Sequence, residues 1–147
     1  MDKPGRNVRI LTYNVHRWLG TDRQISPGRI AEVIASCEAD IVALQEVRAG
    51  RLHKGHPDQA EMVAKQLGMD LHFQPTIRML GDQYGIAILT RHSSNIVKSG
   101  RLPCLSSGSS FEKRSALWVS VDVEGHPLNV INAHLSLRSR ERRAQAA

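Results

Sequence analysis

The alternation of apolar and polar positions divides the chain into elements. Val8–Val15 (VRILTYNV) is a β-rich run that predicts a first strand. Ser26 and Pro27 supply an N-cap and a proline at the first helical position, and Ile30, Val33, Ile34 and Cys37 recur at helical spacing. That pattern predicts an amphipathic helix over 27–38. After Asp40, the apolar run Ile41–Leu44 predicts a buried strand delivering Gln45 and Glu46 to its end, which closes a βαβ-like unit. Arg48–Pro57 is polar and glycine-containing, hence a loop.

Asp58 and Glu61 then mark the start of a second helix, with Met62, Val63 and Leu67 on its apolar side and Gly68 as its stop. Residues 71–77 and 84–90 read as strands joined through Gly81-Asp82, and 95–98 as a short strand. Leu102–Ser110 is a loop. Residues 114–123 place Leu117, Val119, Val121 and Val123 on one face, and Glu124-Gly125 turns them into a partner strand ending at His134. Residues 139–147 begin like a helix. With neither an internal repeat nor a domain boundary, the pattern predicts one α/β domain of sheet layers with flanking helices.

Length and charge narrow this picture. At 147 residues the chain can bury one real core. A net charge of +6 favours anionic partners without choosing among nucleic acid, anionic lipid and phosphorylated small molecules. Aromatics at 4% leave few rings for stacking on bases. Cys37 and Cys104 have no disulfide or metal-like spacing and read as free thiols. No apolar run reaches the length of a membrane span, and no signal-peptide core follows the N-terminus, so the expected location is the cytoplasm.

Polar clusters stand at predicted strand ends: Asn14, Gln45-Glu46, Tyr84-Gly85 and Asn132-Ala133-His134. The strings TYNVH, ALQEV, YGIAILTR, KRSALW and INAHL, in this order, resemble the successive motifs of the endonuclease/exonuclease/phosphatase superfamily, the DNase-I-like proteins. The resemblance runs from Arg9 to about Arg143 and covers the superfamily's N-terminal half. It implies half of a DNase-I-like two-layer β-sandwich and metal-dependent hydrolysis of a phosphodiester or phosphomonoester. Glu46 would be the carboxylate that binds Mg²⁺ or Mn²⁺, with Asn14 orienting water, metal or phosphate. Tyr84 and Arg114 would hold phosphate oxygens, and His134, preceded by Asn132, would contact the scissile phosphate.

The superfamily's later Asp-x-Asn and Asp-His motifs do not occur, and Glu141 is the one acidic residue after His134. The chain is therefore expected to hold about half of such a site. An inactive anion-binding remnant that pairs with another chain is the alternative. Val47 stands where the abasic-site nucleases carry lysine, which favours lipid or small-phosphodiester substrates over DNA repair.

Taken singly, these residues also fit plain roles: a strand-end charge for Glu46, a turn-former for Asn14, a strand aromatic for Tyr84, a solvated charge for Arg114, a core histidine for His134. His53 and His56 read as incidental, His16, His72, His92 and His126 show no partner pattern, and the arginines of the tail read as a solvated helix face. A lone sheet layer would leave Leu117, Val119, Val121, Val123 and Val130 in water, so a homodimer covering that face, or a missing C-terminal half, is expected.

Overall fold

The computed structural model describes residues 7–50, 58–105 and 113–147. In chain order it contains β1 (Ile10–Asn14), α1 (Pro27–Ser36), β2 (Ile41–Ala49), α2 (Gln59–Leu67) and β3 (Asp70–Met79). There follow β4 (Asp82–Thr90), β5 (Ser94–Arg101), β6 (Ser115–Val123), β7 (His126–Ala133) and α3 (Ser139–Ala146). A single 3-10 turn, His16–Trp18, follows β1.

One sheet is four-stranded in the order β1-β2-β4-β3, and the other three-stranded in the order β5-β6-β7. β1 and β2 pair in parallel across α1, as the βαβ reading requires, and the other pairings are antiparallel. Strand pleating gives the first sheet two apolar faces. Val42, Leu44, Val47, Ala87 and Leu89 point to the helices and pack with Ala31, Ile34, Val63 and Leu67. Ile41, Ile86 and Ile88 point the other way and pack with Leu117, Val119, Val121 and Val130. The result is a helix layer, a sheet and a second sheet, with flanking helices as expected of a DNase-I-like fold.

This packing corrects the expected exposure of the β6 face. Leu117, Val119 and Val121 have no accessible surface, and Val130 retains 9%. The chain covers that face with its own first sheet, because β6 and β7 form a second layer and do not extend the first. The apolar argument for a homodimer through Val121 therefore falls away.

Helix boundaries follow local chemistry. Asp58 caps α2 by accepting from the Ala60 and Glu61 N–H groups at 2.8 and 3.2 Å, and Gly68 closes it at φ 62°. Ser26 makes no side-chain capping bond, so Pro27 alone marks the start of α1, and Cys37 lies exposed just beyond its end. β2 runs five residues past the expected Leu44, to Ala49, with Arg48 paired to Tyr84. His53 and His56, and loop residues 106–110, lie outside the described residues. α3 is docked by buried Gln145, which accepts from the Ser136 N–H at 2.8 Å and donates to the Pro103 carbonyl at 3.1 Å. Among the described residues no helix is long and apolar enough to cross a membrane.

Two bulges shape the first sheet. In β2, Leu44 pairs with Ala87 and Val47 with Gly85, so Gln45 and Glu46 together face Ile86. In β3, Pro75 pairs with Gly85 and Ile77 with Tyr84, leaving Thr76 as the extra residue. Gly85 lies between the bulges, where a Cβ would overlap the Gln74 carbonyl oxygen and sit 3.0 Å from the Pro75 Cα. Gly100 in β5 has open space at the same position. Gly85→Ala is therefore expected to lower unfolding free energy by about 3 kcal/mol, the upper end of overpacking costs. Gly100→Ala should change it by less than about 0.5 kcal/mol. Urea midpoints of the two variants check this, and equal midpoints would contradict the packing.

Candidate active site

The bulge in β2 decides where Glu46 points. In an unbroken pleat, Leu44 and Glu46 would share a face, and the carboxylate would sit under the helices. The extra residue keeps Leu44 and Val47 on the helix side and turns Gln45 and Glu46 to the other. Glu46 adopts φ 54°, a left-handed conformation uncommon for a residue with a side chain. Such a conformation persists where surrounding contacts over-determine it.

Those contacts are present. Asn14, at the end of β1, donates from Nδ2 to Glu46 Oε1 at 3.0 Å. Its Oδ1 accepts from the His16 N–H at 3.0 Å, and His16 Nδ1 lies 3.4 Å from Glu46 Oε2. Gln45 donates to Asn132 Oδ1 at 2.9 Å across the two sheets. Asn132, only 3% exposed, donates in turn to the carbonyls of Leu44 and Ala87, each at 2.8 Å. Asn132 thus bonds to the residue pair that borders the bulge and fixes β7 against it. Its polar atoms are engaged inside the protein, which makes it a positioning residue for Gln45 and for the end of β7.

β7 then delivers His134 to a cleft of about 330 Å³. The cleft is lined by Glu46, Tyr84, Arg114 and His134, and also by Arg17, Thr76 and Lys113. Of the residues singled out from sequence, Glu46, Tyr84, Arg114 and His134 meet here. Asn14 stands behind Glu46, and Asn132 lies below in the intersheet core. Thr76, the bulge residue of β3, donates to Ser115 Oγ at 3.0 Å and ties the β3 and β6 walls together.

Arg114 Nη1 lies 3.2 Å from His134 Nδ1. A guanidinium can only donate, so His134 Nδ1 accepts and the ring proton resides on Nε2. Burial lowers the His134 pKa from its usual range, and the Arg114 charge adds to the effect, against an opposing pull from Glu46. His134 is therefore neutral at neutral pH, with one N–H to donate. The cleft carries the positive charges of Arg17, Lys113 and Arg114 against the single carboxylate of Glu46. This balance suits an anion.

Sequence reading gave no role to His16, Arg17, Gln45 or Thr76. For His16 and Arg17 the missing information is conformational, because His16, Arg17 and Trp18 all take positive φ values of 45°, 57° and 67°. For Gln45 and Glu46 a signal was present. Apolar residues at 42, 44, 47 and 49 step by two, three and two, and the break in alternation marks the bulge.

A family model described as the PGAP2IP C-terminal nuclease-like domain matches residues 6–146. No curated protein sequence matches the chain. Among solved structures, an endonuclease/exonuclease/phosphatase from Beutenbergia cavernae is similar over 94% of this chain and 42% of its own, with 24% identity and a TM-score of 0.74. An endonuclease/exonuclease/phosphatase family protein from Leptotrichia buccalis is similar over 92% of this chain and 58% of its own, with 23% identity and a TM-score of 0.65. Sphingomyelinase C from Streptomyces griseocarneus shares the fold at 17% identity and a TM-score of 0.53, over 96% of this chain and 55% of its own. The chain thus spans well under two thirds of the length of these structures. Motif order, sheet topology and the match over residues 6–146 agree, and the chain belongs to the PGAP2IP C-terminal nuclease-like domain family of the endonuclease/exonuclease/phosphatase superfamily.

Proposed function

We propose that this domain hydrolyses phosphoester bonds with the help of one divalent cation, Mg²⁺ or Mn²⁺. The observation that carries the reading is the meeting of Glu46, Tyr84, Arg114 and His134 around one cationic cleft. The donor set fits such an ion. The Glu46 side chain is 34% exposed, and the basic group within ion-pair distance of it among the described residues is the His16 ring, not a lysine or arginine. Among the described residues no three His, Cys, Asp or Glu side chains gather into a metal cluster. A single carboxylate suits Mg²⁺, which keeps several waters and binds through one or two carboxylates plus substrate phosphate.

Glu46 would hold the cation while Asn14 fixes the carboxylate's orientation and His16 flanks it. When bound, the ion supplies Lewis-acid stabilisation of negative charge on the phosphoryl group. The remaining work belongs to the chain's own donors. Arg114 and Tyr84 hydrogen-bond phosphate oxygens, and preorganised donors of this kind favour the charge of the transition state. His134 holds its proton on Nε2, from which it donates to a phosphate oxygen or a leaving group. Arg114 keeps Nδ1 occupied and so keeps the ring in that orientation.

A second reading rests on the cleft's charge. With one carboxylate against Arg17, Lys113 and Arg114, the same cleft would bind phosphate without turning it over. The two readings separate in one assay with bis-p-nitrophenyl phosphate. Hydrolysis is expected to require Mg²⁺ or Mn²⁺, to stop with EDTA, and to fall by on the order of 100-fold or more in Glu46→Gln while folding is retained. Full activity in Glu46→Gln would remove Glu46 from the mechanism. Phosphate binding without turnover in the wild type would favour the second reading.

The state of His134 gives a further expectation. Its NMR titration should fall below the ordinary histidine value near 6.5. Arg114→Gln should raise it only partway, since burial is the larger cause. The unfolded chain binds this proton at higher pH than the folded one. Stability should therefore rise with pH between the lowered value and about 6.5, and level off above. An unchanged His134 pKa in Arg114→Gln would contradict the Arg114–His134 contact.

A further inference from the structure

Arg17 stands apart from the residues given roles above. It sits at φ 57°, ψ 33° in a turn whose three residues all have positive φ. For residues with side chains such backbone is strained, so something must hold the turn in place. Trp18 does so: it is 1% exposed, and its Nε1–H donates to the Arg48 carbonyl at 2.8 Å. The Trp18 N–H also donates to the Val15 carbonyl at 2.8 Å, and its carbonyl accepts from the Ser26 N–H at 2.9 Å. At the other end, Asn14 Oδ1 accepts from the His16 N–H. The turn is thus pinned on both sides of Arg17, with Arg17 itself exposed and lining the cleft.

Its charge has no evident structural use. Arg9, Arg29 and Arg48 are each paired with a carboxylate at 2.6 Å, whereas Arg17 has neither an ion pair nor a hydrogen bond among the described residues. Arg114, which also lines the cleft, already has His134 as a partner. A cleft of about 330 Å³ also exceeds what one phosphate group fills.

We infer that Arg17 is a specificity-determining residue that binds a second phosphate of the substrate, next to the phosphoester held by Arg114 and His134. The substrate class is a compound carrying two neighbouring phosphates, either a small bisphosphate or a stretch of nucleotide backbone. This inference rests on the cleft being the phosphate site proposed above, and its test does not require turnover.

The test is equilibrium binding at fixed ionic strength, with orthophosphate against pyrophosphate and thymidine 5′-monophosphate against thymidine 3′,5′-bisphosphate. Wild type is expected to bind the two-phosphate member of each pair at least 10-fold more tightly. Arg17→Gly should erase that preference, weakening binding of the two-phosphate member of each pair by about 10-fold or more and of the one-phosphate member by less. Glycine takes positive φ without strain, so its melting temperature should be equal or higher, which separates lost binding from lost fold. Arg17→Lys, which keeps the charge, should retain part of the preference. The larger gain points to the source: pyrophosphate to a small molecule, the nucleotide pair to nucleic acid. A wild type without preference, or one whose preference survives in Arg17→Gly, overturns the inference. A preference that depends on Arg17 in a protein that does not cleave bis-p-nitrophenyl phosphate leaves it standing and removes only the hydrolytic reading.

Discussion

Because strand side chains alternate, a carboxylate two residues from a buried leucine belongs on the leucine's face unless the count is broken. In β2 it is broken once, between Leu44 and Val47, and the rest of the site depends on that break. It lets the strand remain apolar toward the helices while presenting Gln45 and Glu46 to the second sheet. It also gives Asn132 its place, bonded to Leu44, Ala87 and Gln45 across the layers. Through Asn132 the position of Glu46 on one sheet is linked to that of His134 on the other. Gly85 completes the arrangement, since β3 and β2 both bulge against it and no side chain fits there.

On this frame the electrostatics follow a single direction. A neutral His134, an Arg114 that faces it, and the further charges of Arg17 and Lys113 surround one carboxylate. Glu46 keeps partial exposure and pairs with no lysine or arginine among the described residues, which suits it to hold a cation. Strain is placed beside the chemistry: Glu46, His16, Arg17 and Trp18 all occupy left-handed backbone. Burial of Trp18 and the bonds of Asn14 hold it there.

Much of this was legible in the residues, in unequal parts. The apolar strings around Ile41, Ile86 and Val119 identify strands, and Asp58 with Gly68 brackets α2, because each signal is local. Glu46, Tyr84, Arg114 and His134 are recognisable from the superfamily's motif strings, and the structure gathers them around one cleft. What failed was non-local. β4 inserts between β2 and β3, and β6 packs on the far side of that sheet, so the face expected in water is covered by the chain itself. The left-handed turn at His16–Trp18 contains no glycine, and propensity gives no warning of it. The burial of Trp18 and the bond from the His16 N–H to Asn14 hold it, and that burial is a tertiary fact.

In the function proposed for this domain, the bulge turns Glu46 toward the cleft, where it would anchor a divalent cation. Anomalous diffraction at the manganese edge, from crystals grown with Mn²⁺ and phosphate, tests this directly. One strong peak is expected in contact with a Glu46 carboxylate oxygen, with the phosphate on the side of Arg114 and His134. A manganese site elsewhere in the protein, or a Glu46 side chain turned beneath α1 and α2, would contradict it.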